Sequence, residues 1–162
     1  MNMILTSPEF KDGATLDSSY QADRDNVSPA LAWDNVPAGT KSFAVAMHDP
    51  DAPTGGAGWW HWLAFGIPAE ARSLPRNAGE ASGSLMPAGV VQLFNDRGTR
   101  GYMGCLPPVG DPAHRYIFTV YALSAELPEI PADARTSMAG FIINAHCLGK
   151  ASLTAYYARH TE

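Results

Sequence analysis

The sequence predicts a mainly β protein built from antiparallel sheets, a sandwich or a barrel. Three observations carry this. Short apolar segments rich in aromatic and β-branched residues lie between frequent prolines and glycines. Residues 42–48 alternate, with Phe43, Val45 and Met47 on one face and Ala44, Ala46 and His48 on the other. No helix–strand alternation occurs between residues 30 and 123, which disfavours a parallel α/β sheet.

Taken in order, residues 30–33, 42–48, 60–67, 116–123 and 151–157 are the expected strands. The second reads as half-buried, and Asp49-Pro50-Asp51-Ala52-Pro53 ends it, because proline fixes φ and removes a ladder donor. Residues 69–73 suit a short helical turn, and the Gly-, Ser- and Ala-rich stretch 79–89 an exposed loop. One helix is expected near the C-terminus. Met138, Phe141, Ile142 and Ala145 form an apolar stripe at i, i+3, i+4 and i+7, with Asp133 or Thr136 as cap and Gly149 as stop.

At 162 residues the chain is expected to form a single domain spanning 1–162. It is 46% apolar and 17% charged, which suits a globular protein. A net charge of −5 without a Lys/Arg stripe argues against a nucleic-acid role, though local donors could still hold a single phosphate. The start, Met1-Asn2-Met3-Ile4-Leu5-Thr6, lacks a basic, apolar leader, and no segment reads as a membrane span, so a cytoplasmic location is expected. Cys105 and Cys147 are widely spaced and form no paired metal motif, which favours two free thiols.

Three clusters can carry chemistry: Asp49 and Asp51 in the proline turn, the run Trp59-Trp60-His61-Trp62, and the stiff loop from Pro107 through Asp111 to His114-Arg115-Tyr116. Each alone has an ordinary structural explanation. If the three strand ends converge, they make an aromatic-walled pocket with a few polar groups, the usual composition of a small-ligand site. Neutral His61 offers an N–H, Tyr116 an O–H, and the backbone near residues 104–106 a nest of donors, so an anion is the expected guest. Asp49 is placed to orient a histidine and favour its protonated form.

These clusters, with Leu5-Thr6-Ser7-Pro8, Ser28-Pro29-Ala30-Leu31-Ala32-Trp33 and Gly101-Tyr102, resemble the phosphatidylethanolamine-binding protein, or Raf kinase inhibitor-like, family in its bacterial branch. The resemblance covers nearly the whole chain. It implies an antiparallel β-sandwich with Greek-key features and peripheral helices. It also implies an anion pocket at Asp49, Pro53, His61, Pro107, Pro108, His114 and Tyr116, with Asp51 in the same motif. The implied ligand is a phosphate or phosphoryl head group, and the implied partner a kinase or protease. Two departures stand out. Leu106 occupies a place that is usually small, and Phe94 one that is usually small or basic. No cysteine stands in Asp23-Arg24-Asp25-Asn26-Val27, where some relatives carry one.

The leading expectation is therefore a binding protein, not an enzyme and without a cofactor, that captures an anionic small molecule. The alternative is a small enzyme that uses Asp49, Asp51, His61 and His114 for acid–base or metal-assisted chemistry; neither a metalloprotease motif nor a nucleophile elbow supports it. A third reading is a direct inhibitor acting through the Arg-Gly-Thr-Arg stretch at 97–100. An exposed Trp59 would suit a homodimer contact.

Overall fold

The structure, a computed structural model, describes residues 2–160. The expectation of one domain over 1–162 includes Met1, Thr161 and Glu162, which lie outside the described residues. Among the described residues there are eight strands and one α-helix: β1 Ile4–Thr6, β2 Leu31–Asp34, β3 Ser42–Asp49, β4 Trp59–Pro68, β5 Ser73–Leu74, β6 Val91–Gln92, β7 His114–Leu123, α1 Thr136–Ala145 and β8 Cys147–Tyr157. A three-stranded sheet has the order β1-β2-β5, and a five-stranded sheet the order β6-β4-β3-β7-β8. Every named pair is antiparallel. Within the large sheet β7-β3-β4-β6 is the Greek-key order, with the β4–β6 link detouring through β5 in the other sheet.

The main core lies between the sheets. Phe43, Val45 and Met47 of β3 meet Trp62, Phe118 and Val120 there, and the small sheet adds Leu5, Leu31, Trp33 and Leu74. The opposite face of the large sheet is covered too, so β3 is not the half-buried strand that alternation suggests. Ala44 and Ala46 are fully enclosed beneath Ile130, Ala134 and the α1 residues Ala139 and Ile143. Alanines on this face let the helix approach closely.

Two bulges reshape β4. Its register against β3 skips Gly66 and His61, pairing Phe65 with Ala44 but Ile67 with Phe43, and Trp62 with Met47 but Trp60 with His48. Gly66 has φ +81°, the left-handed backbone that glycine supplies at such a bulge. Each bulge shifts the alternation by one residue. Trp62 therefore faces the inter-sheet core while Trp60 packs against the other face.

The helix forms where expected but turns a different face inward. Phe141 is 78% exposed and Met138 53%, whereas Ala139 and Ile143 are buried. The sheet beneath is lined by small side chains, and the pair that fits it is Ala139–Ile143. Neither expected cap operates. Arg135 is the N-cap and makes no side-chain capping bond, while the Thr136 hydroxyl donates to Asp96 at 2.9 Å. The helix stops at Ala145, and Gly149 belongs to β8, where a Cβ would meet the Pro37 ring at 2.9 Å. Residues 69–73 make a turn closed by Ala71 N–H on the Pro68 carbonyl, not a helix, because they lead directly into β5. In the 79–89 stretch Gly79 is buried against Tyr102 and Trp62; the rest lies at the surface to varying degrees.

Urea unfolding will separate the two helix faces. Ile143→Ala is expected to cost about 2–5 kcal/mol as a buried large-to-small change. Phe141→Ala should stay within about 0.5 kcal/mol of the parent, as for most surface substitutions.

Candidate functional site

β3 ends at Asp49, while β4 begins at Trp59 and β7 at His114. Since β3 is antiparallel to both neighbours, these three termini meet at one end of the large sheet. His114 and Tyr116 are two residues apart on β7 and so share a face, with ring centroids 6.5 Å apart. The bulge at His61 brings its ring edge-on to Tyr116, 5.3 Å between centroids. The imidazole and the phenol expected to face one guest therefore stand side by side.

Asp49 is the buried hub, 2% exposed. One carboxylate oxygen accepts the Asp51 backbone N–H at 2.8 Å, and the other accepts His114 Nδ1–H at 2.7 Å. His114 Nε2–H donates to Asp111 Oδ2 at 3.0 Å. A carboxylate on each ring nitrogen calls for the doubly protonated ring. Burial opposes that charge, but the bonds to Asp49 and Asp111 outweigh it and raise the His114 pKa.

His61 is held in the opposite state. Its Nδ1 lies 2.8 Å from the Met103 carbonyl and 3.1 Å from that of Gly104, so this nitrogen carries the proton. Burial lowers the His61 pKa, against the pull of those carbonyls and of Asp49. The neutral ring thus has no N–H left for an anion, contrary to the sequence expectation; Nε2 is left with a lone pair. The expected backbone nest is also spent in large part. Gly104 N–H donates to Asn26 Oδ1 at 2.7 Å and Cys105 N–H to the Tyr20 carbonyl at 2.9 Å. A Cβ on Gly104 would lie 2.1 Å from that same carbonyl, so the close approach requires glycine.

The Tyr116 hydroxyl is buried with no hydrogen-bond partner. The Leu106 amide and the Asp49 carboxylate lie close enough to act on it as weak hydrogen-bonding neighbours, but neither contact reaches full hydrogen-bond geometry. Burial, then the nearby Cys105 and Asp49, push its pKa well above the ordinary phenol value.

These groups bound a cavity of about 330 Å³. Asp49, His61, His114 and Tyr116 supply its buried side, and Pro53, Pro107 and Pro108 its walls. Asp51 is not among the lining residues. It forks onto Arg115 instead, with Nη2–H on Oδ1 at 2.9 Å and Nε–H on Oδ2 at 3.0 Å, and this holds its pKa down to about 2. Leu106 turns into the cavity and becomes part of its wall. Trp59 and Met103 also line it, with the indole N–H donating to the Met103 sulfur at 3.3 Å. Their place was hidden because β4's bulge and the loop path are not written in residue types. Half-buried Trp59 is thus a cavity wall. The C-terminal segment braces the same loop: Arg159 Nε–H donates to the Pro107 carbonyl at 2.7 Å, and Gly110 N–H to the Arg159 carbonyl at 3.0 Å. No lysine or arginine lines the cavity among the described residues. A larger surface hollow of about 750 Å³ beside Asn35 and Lys150 has no acid, histidine or tyrosine in its lining. Cys105 and Cys147 are free thiols, as expected.

The two histidines oppose each other in their effect on stability. His114, with its raised folded pKa, contributes stability that is complete below the unfolded value of about 6.5 and lost as pH rises through the folded pKa. His61, with its lowered pKa, contributes stability present above about 6.5 and lost as pH falls through its folded value. Chemical denaturation across pH should show His114→Asn flattening the alkaline limb and His61→Asn the acid limb. If the limbs are exchanged or unaffected, the assigned protonation states are wrong.

Comparison with known proteins gives a consistent picture. A family model described as phosphatidylethanolamine-binding protein matches residues 6–158. The chain is 48% identical over 162 aligned positions to the UPF0098 protein YbhB of Escherichia coli (strain K12), covering 96% of this chain and 100% of that one. The crystal structure of E. coli YbcL, described as a new member of the mammalian PEBP family, superposes with a TM-score of 0.93 at 41% identity, covering 98% and 99% of the two chains. That of CT736, a PEBP homologue from Chlamydia trachomatis, gives a TM-score of 0.83 at 27% identity, covering 98% of each.

Proposed function

The chain belongs to the phosphatidylethanolamine-binding protein family, and from that premise we propose that its cavity binds a small ligand through an anionic phosphoryl or carboxyl head group. The Tyr116 hydroxyl carries this reading. A buried donor without a partner costs free energy, and such a group on the wall of a cavity is placed to be satisfied by a guest. The volume lies at the lower end of the range for small-molecule pockets, and the walls from Trp59, Leu106 and the prolines suit an apolar substituent beyond the head group.

Two features favour capture over catalysis. Both ring nitrogens of His114 are engaged by carboxylates, which holds its proton in place. The buried Cys105 thiol is pushed well up by burial and by Asp49, the reverse of an activated nucleophile. Control of a kinase or protease extends this reading by family likeness alone.

Tyr116→Phe tests it with two opposite signs. Deleting the unpaired hydroxyl should stabilise the free protein by about 1 kcal/mol. The same change should weaken inorganic phosphate binding about 10-fold by calorimetry. Undetectable phosphate binding by the parent protein, or equal affinity in the variant, would refute the proposal.

A further inference from the structure

We infer that the cavity selects a phosphomonoester, a guest that brings its own acidic P–O–H, and disfavours phosphodiesters and fully deprotonated anions. The inference rests on the binding reading above and names the ligand class of that same site. His61 offers the guest a lone pair, because the Met103 and Gly104 carbonyls hold its ring proton. Tyr116 offers a hydroxyl proton beside it. One acceptor and one donor, their rings 5.3 Å apart, match a group with one protonated and one bare oxygen.

The surrounding charge has the same bias. The groups facing His61 are Asp49 from β3, Tyr116 and His114 from β7, and Asp96 beyond Trp60. Charged Asp49, His114 and Asp111 leave one net negative charge. Arg115 is occupied by Asp51, and Arg159, which donates through Nε to the Pro107 carbonyl, is not among the lining residues. Among the described residues no lysine or arginine lines the cavity, and the one cationic ring there, His114, is already shared between two carboxylates.

A phosphomonoester keeps one P–O–H until its second ionisation near pH ~6. It can donate that proton to His61 Nε2 while another oxygen accepts from Tyr116. A carboxylic acid presents the same pair only well below neutrality, since carboxyl groups ionise near pH ~4. A phosphodiester has no acidic proton to present. Phosphatidylethanolamine, from which the family takes its name, is a phosphodiester, so this chain should prefer a terminal phosphoryl head on either a soluble or a lipid carrier.

Titration calorimetry of the full chain at pH 6 tests this with butyl phosphate, its methyl ester butyl methyl phosphate, sulfate and butyrate. Butyl phosphate should bind at least about 10-fold tighter than the other three, as expected when a buried acceptor goes unmatched. At pH 8 its binding should take up close to one proton, read from the dependence of the heat on buffer ionisation. Short-chain phosphatidic acid against short-chain phosphatidylethanolamine repeats the contrast on a lipid carrier and should give the same order. Ring ¹⁵N NMR of the butyl phosphate complex should show His61 protonated at Nδ1 and bare at Nε2. A doubly protonated His61 in the complex, or a diester that binds as tightly as its monoester, overturns the inference. If all probes bind alike and Tyr116→Phe weakens them all, the binding reading stands and the selectivity falls. If none binds, both fall.

Discussion

The hydrogen bond between Asp49 and His114 fixes the geometry on which the site depends. It ties the last residue of the central strand to the first residue of its neighbour, at the point where the backbone must leave the sheet. Asp49 also accepts the Asp51 N–H, and that shapes the proline turn so that Asp51 forks onto Arg115. Two acids in one turn are thereby stitched to two consecutive residues of β7. Strand alternation sends His114 inward and Arg115 outward, and the two acids follow them. The inner pair is buried and carries the larger penalty for losing either partner; the outer pair is half in solvent and is worth little to stability.

Much of this was legible in the sequence because the strand pattern is strong where it matters. The five apolar segments are strands; Asp49, His61, His114 and Tyr116 lie near strand ends, and with Pro53, Pro107 and Pro108 of the adjoining loops they line one cavity. What escaped was whatever depends on partners remote in sequence. Asp51 carries the same carboxylate as Asp49, and only Arg115 on the neighbouring strand decides that it turns away. The helix stripe Met138–Phe141 satisfied the periodicity, yet the face that packs was chosen by the alanines of β3. The short strands β1, β5 and β6 have too few residues to show any period and exist because longer neighbours offer them an edge.

The bulge at His61 shows how a small backbone irregularity shapes the candidate site. In a regular strand Trp60 and Trp62 would share one face and His61 the other. The extra residue breaks that rule, letting Trp62 enter the core and Trp60 pack on the far side. The imidazole is left at the junction, where the loop of Met103 and Gly104 crosses and its carbonyls accept the Nδ1–H. A run of aromatic residues around a histidine does not reveal this, because the skip is set by pairing with β3.

Two imidazoles within one cavity thus do different work for a reason that can be traced to their neighbours. His114 lies between carboxylates and holds a second proton; His61 lies under carbonyls, in a drier place, and does not. Their order could not be exchanged without cost. A charged His61 would have no carboxylate on Nε2, and a neutral His114 would set a lone pair against one of two acids. At an effective dielectric of ~20, two unit charges about 4 Å apart interact by roughly 4 kcal/mol. A bare dianion beside Asp49 would meet repulsion of that order, which His114, already shared between two acids, could offset only in part. On the proposed binding reading, recognition in this cavity comes from matching donors to acceptors rather than from net charge. That is consistent with a chain whose formal charge is −5 and whose cavity contains no lysine or arginine among the described residues.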